Sequence, residues 1–272
     1  MKELTLKEMW NVSLDILIEV DTFCRANNIR YSLAGCSMLG AVRHGGFIPW
    51  DDDIDLIMPR PDYERFVHTY VGRGTKCYAV ELGNSVIPYC RVCDTKRTVV
   101  EEYMPWASEK TGLWIDINPV DGIGESHESF LAKGKLISAA YSRMYQVRGS
   151  IAKLDIRRGV LWNLKILAKK LLYGRYDILQ LEKEYWKILN LVDFEQSENC
   201  GQLAFPCYYK KEFYSSTILK EYADIEFCGR KFMGVKDTHA YLTNYFGDYM
   251  QLPPKEQQVP KHNEHRIYWK EN

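Results

Sequence analysis

Acidic side chains crowd the segment 50–55, which reads Trp-Asp-Asp-Asp-Ile-Asp. Alternate side chains of an extended strand share one face, so Asp53 and Asp55 are predicted to lie side by side. Neighbouring carboxylates repel each other, and a divalent cation removes that repulsion. Mg²⁺ typically binds one or two carboxylates together with phosphate oxygens of a substrate. The segment therefore predicts phosphate chemistry on Mg²⁺ or Mn²⁺, with a solvated acidic loop as the alternative.

Further acids accompany this pair. Asp51 and Asp52 are expected to support the metal ligands, to cap the start of the strand or to face solvent. Asp51 is the better metal candidate, because alternate residues of an extended chain share one face and Asp51 is two residues from Asp53. Asp116 lies between two isoleucines in a predicted central strand, where an unpaired carboxylate is costly to bury. It either completes the metal site and accepts the proton of an attacking hydroxyl, or forms a salt bridge in the core.

A glycine-containing turn precedes the acids. Gly35-Cys36-Ser37 is predicted to lead from a strand into a helix, which puts its backbone N–H groups and the Ser37 hydroxyl at a helix N-terminus. Such an N-terminus is a natural anion site. Arg43, six residues further on, could reach the same anion and bind a phosphate through two N–H groups. The alternative is an ordinary helix cap.

The elements that must position these residues alternate between helix and strand. Helices are predicted at 4–27, 37–44, 61–70 and 237–246, with a mainly helical stretch from 125 to 196. Strands are predicted at 31–34, 54–58, 77–81, 87–93, 97–102, 113–117, 224–228 and 231–235, followed by an irregular tail. This order predicts an α+β fold, with a mixed sheet core, flanking helices and a helical lobe. The predicted parts are a catalytic core (1–125), a helical lobe (126–200) and a C-terminal α+β segment that completes the site (201–272).

Composition limits the classes of function. The chain has 272 residues and no net charge, which argues against a general nucleic-acid binder. The N-terminal residues carry acids and lysines instead of the apolar stretch of a signal peptide, and no run approaches the roughly 18 apolar residues that span a bilayer. The expected location is the cytoplasm, and the eight cysteines are expected as free thiols.

A basic segment at 143–176 predicts a peripheral membrane contact. Leucines and Trp162 are interleaved there with nine basic residues and one acid, Asp155. The basic residues are Arg143, Arg148, Lys153, Arg157, Arg158, Lys165, Lys169, Lys170 and Arg175. A basic amphipathic helix with a tryptophan is typical of an anchor on anionic lipid. The alternative is a helix packed in the lobe with a solvated basic face.

Several segments together carry a resemblance to a known family. They are Leu39–Asp55, Arg60–Phe66, Asp94-Thr95, Ile115–Gly122 and Tyr245–Pro254. With the G-x-S turn and the D-h-D strand (h, apolar), this pattern resembles the LicD family, which includes the fukutin-related proteins and has a nucleotidyltransferase fold. The resemblance extends from about residue 1 to residue 265, and the stretch 125–200 is its least diagnostic part.

The resemblance implies phosphodiester transfer from a CDP-activated alcohol, with release of CMP. In LicD proteins CDP-choline donates phosphocholine to a sugar hydroxyl of a cell-surface glycopolymer precursor, of the teichoic acid or lipopolysaccharide type. Carried over to this chain, Asp53 and Asp55 would hold Mg²⁺, with Asp116 as the third ligand or the base. The residues that would hold the donor's phosphates or line its pocket are Gly35, Ser37, Arg43, Arg91 and Asp94. The segment 36–38 departs from the common pattern of Gly or Thr followed by Leu but keeps a hydroxyl.

Choline would also need an aromatic cage for its quaternary ammonium. The candidates are Trp50, Tyr89, Tyr103, Trp106, Trp114, Tyr208 and Tyr209, and the sequence does not select among them. Ribitol or glycerol could equally be the donor's alcohol. His262 and His265, in the tail, receive no role. Two other interpretations stay open: nucleotidyl transfer from an NTP with release of pyrophosphate, and a non-catalytic member that acts in binding or assembly.

Overall fold

The computed structural model describes residues 1–101, 107, 109–150, 154, 159–204, 210–259 and 266–271. Helix accounts for 45% and strand for 22%, arranged around a curled mixed sheet, and the predicted α+β class is thereby confirmed. Some residues singled out above lie outside the described part. They are Tyr103, Trp106, Lys153, Asp155, Arg157, Arg158, Cys207, Tyr208, Tyr209, His262 and His265.

A mixed sheet forms the centre of the fold. Its strands, in spatial order, are β1 (Ser32–Leu33), β2 (Asp55–Pro59), β6 (Trp114–Ile123), β4 (Cys90–Asp94) and β3 (Thr75–Tyr78). Strands β2 and β6 are parallel, whereas the other neighbours along this path are antiparallel. The long strand β6 therefore has the acid-bearing strand on one side and β4 on the other.

Strand β6 extends well beyond the predicted segment 113–117. Its second half pairs with two short strands from a distant part of the chain, β7 (Leu191–Val192) and β8 (Asn199–Gly201), and β9 (Phe213–Ser215) pairs with β8. Gly122 permits this approach, because a Cβ there would lie 2.7 Å from the carbonyl oxygen of Val192. Two further pairs complete the strands: β10 (Tyr222–Phe227) and β11 (Arg230–Val235) form a hairpin, and β5 (Thr98–Val100) pairs with β12 (Ile267–Trp269). Strand β12 lies where an irregular tail was expected.

One group of helices packs near the sheet, and a second group builds the helical lobe. α1 (Leu6–Ala26) begins at a capping box in which Thr5 and Glu8 satisfy each other's backbone N–H groups. The others near the sheet are α2 (Gly35–His44), α3 (Arg60–Thr69) and α8 (Thr238–Phe246). The lobe consists of α4 (His127–Ala132), α5 (Gly134–Ser150), α6 (Gly159–Tyr173) and α7 (Ile178–Leu189). The helical stretch predicted at 125–196 is therefore several helices, and it ends in β7.

Two clusters of buried side chains hold these layers together. The larger one packs α1, α2 and α3 on the sheet and extends to Ile267 of β12. The smaller one joins α4, α5 and α7 to Ile123 of β6 and Phe213 of β9. The lobe is thus packed on the end of the central strand. The three-part division of the chain stays a prediction.

Two properties of the described residues bear on the predictions for the cysteines and for membrane-spanning segments. The cysteines at 24, 36, 77, 90, 93, 200 and 228 form no disulfide in the described part of the chain, and all but Cys36 and Cys228 are buried. Burial raises the pKa of Cys200 to about 12, so this thiol stays protonated at neutral pH. None of the helices in the described ranges is long and apolar enough to cross a membrane.

Candidate active site

Strand register brings three predicted site residues together. Asp55 on β2 lies beside Asp116 on β6, and Arg91 on β4 lies beside Asp116 on its other side. The backbone N–H of Asp116 donates to the carbonyl oxygen of Ile54 at 3.0 Å, which fixes the register at this point. Because residues in register on adjacent strands point to the same face of a sheet, the two carboxylates and the guanidinium form one row.

Arg91 binds both carboxylate oxygens of Asp116 through one edge of its guanidinium. Nε donates to Oδ1 at 2.6 Å and Nη2 donates to Oδ2 at 3.3 Å, and both side chains are largely buried. The guanidinium carbon also lies 4.6 Å from the ring centre of Trp114 and 5.5 Å from that of Tyr89. The salt bridge considered as an alternative for Asp116 is therefore present, and it lies beside Asp55.

The surroundings of Asp55 disfavour the ionised form of its carboxyl group. Burial, and then repulsion from Asp53, Asp116 and Asp51, raise the pKa of its carboxyl well above the ordinary value of 3.8, against the opposing charge of Arg91. A divalent cation would offset this repulsion, and carboxylate oxygens are the ligands that Mg²⁺ prefers. The chemistry of these donors therefore fits the metal that the sequence predicts.

The loop before β2 adds a second group of carboxylates. Oxygen atoms of Asp51, Asp52 and Asp53 lie within 4.8 Å of one another, and no other such group of three occurs among the residues that the structure describes. The loop is fixed by its backbone: Asp51 N–H donates to the Ile48 carbonyl at 2.9 Å, and the indole of Trp10 donates to the Asp51 carbonyl at 2.7 Å. Asp51 thus remains a candidate ligand beside Asp53.

The start of α2 is tied directly to Asp55. The helix begins at Gly35, two residues earlier than predicted, and Gly35 has a φ of +49°. A Cβ at this position would lie 3.6 Å from Oδ2 of Asp55, so the backbone passes close to the carboxylate. The Ser37 hydroxyl accepts a hydrogen bond from the Asp55 N–H at 2.9 Å, and the Gly35 N–H donates to the Tyr241 hydroxyl at 3.1 Å. Ser37 and Tyr241 therefore position this end of the site.

Arg43 does not lie at the N-terminus of α2, where phosphate clamping was expected. One of its terminal nitrogens donates to the Tyr249 carbonyl at 2.7 Å and to the Gln251 carbonyl at 3.3 Å. The reason is helical geometry: eight residues separate Arg43 from Gly35, which is about 12 Å along a helix. Arg43 instead joins α2 to the chain that follows α8.

Asp94 also lies apart from the row of Asp55, Asp116 and Arg91. Three residues separate it from Arg91, so the two side chains point to opposite faces of β4. Its carboxylate accepts from the Arg97 N–H at 2.7 Å, from Arg97 Nε at 2.8 Å and from the Thr98 N–H at 3.0 Å. These bonds close the turn between β4 and β5, which is a structural role that the Asp-Thr motif did not reveal.

A further ion pair, which the sequence analysis missed, joins two of the motif segments. Arg60, at the start of α3, donates to both oxygens of Asp121 on β6 at 2.7 and 2.8 Å. Both side chains are mostly buried. The pair holds the ends of the parallel strands β2 and β6 together, and its only signal in the sequence is the presence of an arginine and an aspartate in separate motifs.

An α+β fold with two carboxylates and a guanidinium in register on its central strands agrees with what the family resemblance implies, and comparison with known proteins extends this agreement. The family described as LicD/FKTN/FKRP, nucleotidyltransferase domain, matches residues 28–130, which contain Gly35, Asp55, Arg91 and Asp116. The match thus covers the part of the chain that holds this row of side chains, and the resemblance drawn from the motifs is confirmed.

Two kinds of relative extend the comparison. The chain is 29% identical over 272 residues to lipopolysaccharide cholinephosphotransferase LicD of Haemophilus influenzae, covering 96% of this chain and 97% of the relative. It is 61% identical over 31 residues to the ribitol 5-phosphate transferase FKRP of mouse and of human, covering 11% of this chain and 6% of each relative. The similarity to the bacterial protein thus includes the helical lobe.

Proposed function

We propose that this protein transfers phosphocholine from CDP-choline to a hydroxyl of a cell-surface glycopolymer precursor, of the lipopolysaccharide or teichoic acid type, and releases CMP. The observation that carries the proposal is the similarity to a cholinephosphotransferase over almost the whole length of both chains. The row of Asp55, Asp116 and Arg91 supports it, because phosphoryl transfer depends mainly on positioning and charge. The short match to ribitol 5-phosphate transferases makes CDP-ribitol the second candidate donor.

The residues have distinct roles in this proposal. Asp53 and Asp55 would hold Mg²⁺, with Asp51 or Asp116 as a further ligand, and the bound ion would offset negative charge on the donor's phosphates. Arg91 holds the Asp116 carboxylate in place and brings a fixed positive charge to the same row. Transfer forms a bond from the acceptor oxygen to phosphorus and breaks the bond to CMP, and a carboxylate of the row accepts the hydroxyl proton.

Donor binding tests the proposal. We expect calorimetry to show that CDP-choline binds in the presence of Mg²⁺ more tightly than CDP-ribitol, CDP-glycerol or CTP, and that EDTA abolishes this binding. CMP release in the presence of a glycan acceptor would identify the transfer itself. Pyrophosphate release from CTP would instead indicate nucleotidyl transfer, and binding that is indifferent to EDTA would contradict the metal site.

The proposal includes a peripheral contact with the membrane that carries the acceptor, and the exposed face of α6 supports it. Val160, Leu164, Leu167 and Leu171 have the spacing of one helix face, and Leu171 is 85% exposed. The buried residue of α6 is Ile166, which lies on the opposite side. A row of exposed aliphatic side chains on one helix is unusual unless something covers it.

The charges beside this face favour anionic lipid. Leu161 and Leu172 are exposed as well and widen this face, so that Lys165 and Lys170 lie at its two edges, and α6 contains no acid. Lysines in such positions extend their ammonium groups toward lipid headgroups while the stems stay on the apolar surface. The contact is narrower than the predicted segment 143–176, because Arg148 belongs to α5, is buried and pairs with Glu182.

Vesicle sedimentation tests the membrane contact. The protein is expected to sediment with phosphatidylserine-containing vesicles at low salt, and Leu164→Glu with Leu171→Glu is expected to lower this partitioning about tenfold or more. Leu136→Glu is the matched control, because Leu136 is an equally exposed leucine on α5. The contact is excluded if the protein stays in solution at low salt, or if both variants behave alike.

A further inference from the structure

A cleft of about 730 Å³ opens between α2 and the chain that follows α8. Residues 36–50 form one wall, and residues 246–259 form the other. Its volume is in the range of small-ligand sites. The cleft adjoins the acidic site through two short connections: Cys36 follows Gly35, which passes close to the Asp55 carboxylate, and Trp50 precedes Asp51.

Aromatic side chains from both walls line this cleft. Trp50 lies on the first wall, and Phe246 and Tyr249 lie on the second. The Tyr249 ring is held in place, because its hydroxyl lies 3.1 Å from Nδ1 of His239 and the two rings meet edge to face. Aromatic faces attract ligand cations, and quaternary ammonium groups in particular.

The charged residues of the cleft are one cation and one carboxylate. Asp248 lies between the two aromatic residues of the second wall and is exposed to the cleft and to solvent. Arg43 also lines the cleft, and its hydrogen bonds to the carbonyls of Tyr249 and Gln251 hold the second wall against α2. Asp248 is the acidic side chain that could complement a quaternary ammonium beside these aromatic faces.

The other aromatic candidates that the structure describes are already engaged. Tyr89 and Trp114 lie against the guanidinium of Arg91, so the cation near their rings is a protein side chain. Among the described residues, the ring contact of Trp50 is an edge contact with His44, at 6.2 Å between ring centres. The sequence alone could not distinguish these tryptophans and tyrosines.

We propose that this cleft binds the phosphocholine end of the donor, with the quaternary ammonium held by Trp50, Phe246, Tyr249 and Asp248. The inference rests on the proposed function for the identity of the donor. Arg43 acts as a positioning residue that keeps the second wall in place. The cleft thereby selects the alcohol of the donor, whereas the row of Asp55, Asp116 and Arg91 supports the transfer reaction.

The test compares phosphocholine with 3,3-dimethylbutyl phosphate, which has the same shape without the positive charge. Calorimetry on the full chain with Mg²⁺ is expected to show preference for phosphocholine, and Asp248→Asn and Trp50→Leu are each expected to reduce that preference about tenfold. Glu226→Gln, an exposed carboxylate outside the cleft, is the matched control. Thermal midpoints of all the variants show whether each one is folded, and Trp50→Phe is expected to keep part of the preference.

Release of CMP from CDP-choline by the unmodified protein reports separately on the proposed function. If CMP is released while Asp248→Asn and Trp50→Leu keep the full preference, the cleft assignment is wrong and the proposed transfer stands. If phosphocholine is preferred in the expected way without CMP release, the cleft assignment stands and the proposed transfer is wrong. Equal affinity for the two phosphates in the unmodified protein overturns the cleft assignment.

Discussion

Asp55→Asn is expected to stop catalysis and yet to stabilise the metal-free protein. In the proposed mechanism Asp55 holds Mg²⁺, so its loss should lower the rate of CMP release by at least about a hundredfold. The same change removes a carboxylate whose burial and repulsion by Asp53 and Asp116 oppose folding. The thermal midpoint without metal should therefore rise, and Mg²⁺ should raise the midpoint of the unmodified protein but not that of the variant.

The pH dependence of stability follows from the same carboxyl group. Because the pKa of Asp55 is raised above 3.8 in the folded protein, the folded state keeps a proton that the unfolded chain has released. The free energy of unfolding of the metal-free protein should therefore fall as the pH rises past the ordinary carboxyl value, until the folded carboxyl itself ionises. Saturating Mg²⁺ and Asp55→Asn should each remove this fall.

Glu226→Gln serves as the control for these measurements, because it removes an exposed carboxylate from β10. It should leave the rate of CMP release, the thermal midpoint and its pH dependence unchanged. The interpretation of Asp55 as a metal ligand would be refuted by an Asp55→Asn protein that retains CMP release or that is stabilised by Mg²⁺ like the unmodified protein.

Arg91→Met is expected to produce the largest loss of stability. The substitution leaves the Asp116 carboxylate buried without its bidentate partner, beside an already repelled Asp55. Breaking a buried pair in this way typically costs about 3–5 kcal/mol. Urea unfolding of the metal-free protein measures the change, and CMP release should be lost as well, because the fixed positive charge of the row is gone.

The double variant Arg91→Met with Asp116→Asn separates stability from activity. Replacing Asp116 removes the buried carboxylate charge that Arg91→Met leaves without its partner. This should recover much of the lost free energy of unfolding, while CMP release stays absent. Lys236→Met is the control, because Lys236 forms an exposed pair with Glu221, and such pairs contribute about 1 kcal/mol or less. A small change in stability for Arg91→Met, similar to that for Lys236→Met, would contradict the assigned burial cost.

Local patterns in the sequence predicted much of this architecture. Apolar spacing predicted α1 to within a few residues of Leu6–Ala26, and strand alternation placed Asp55 at the start of a buried strand. The isoleucines around Asp116 predicted a central strand in the same way. These features depend on neighbours within a few positions, so the information for them is present in a short stretch of chain.

Contacts between distant segments were not accessible to this reasoning. The approach of Arg91 to Asp116 depends on the register of β4 against β6, and the approach of Arg43 to Tyr249 and Gln251 depends on how the tail returns to α2. Strand β12 forms because β5 offers it a partner some 170 residues earlier in the chain. Hydrophobic period and turn residues carry no signal for such pairings.

The sequence by itself determined the chemical types: a set of acids suited to a divalent cation, basic residues suited to phosphate, and an α+β framework to carry them. Only the tertiary structure decided which of these residues meet. It aligned Asp55, Asp116 and Arg91 in one row, turned Asp94 into a turn-closing residue, and placed Trp50 opposite Phe246 and Tyr249 across a cleft. The physical reason is that residue type is a local property, whereas distance, burial and charge environment arise from packing between segments that are far apart in the chain.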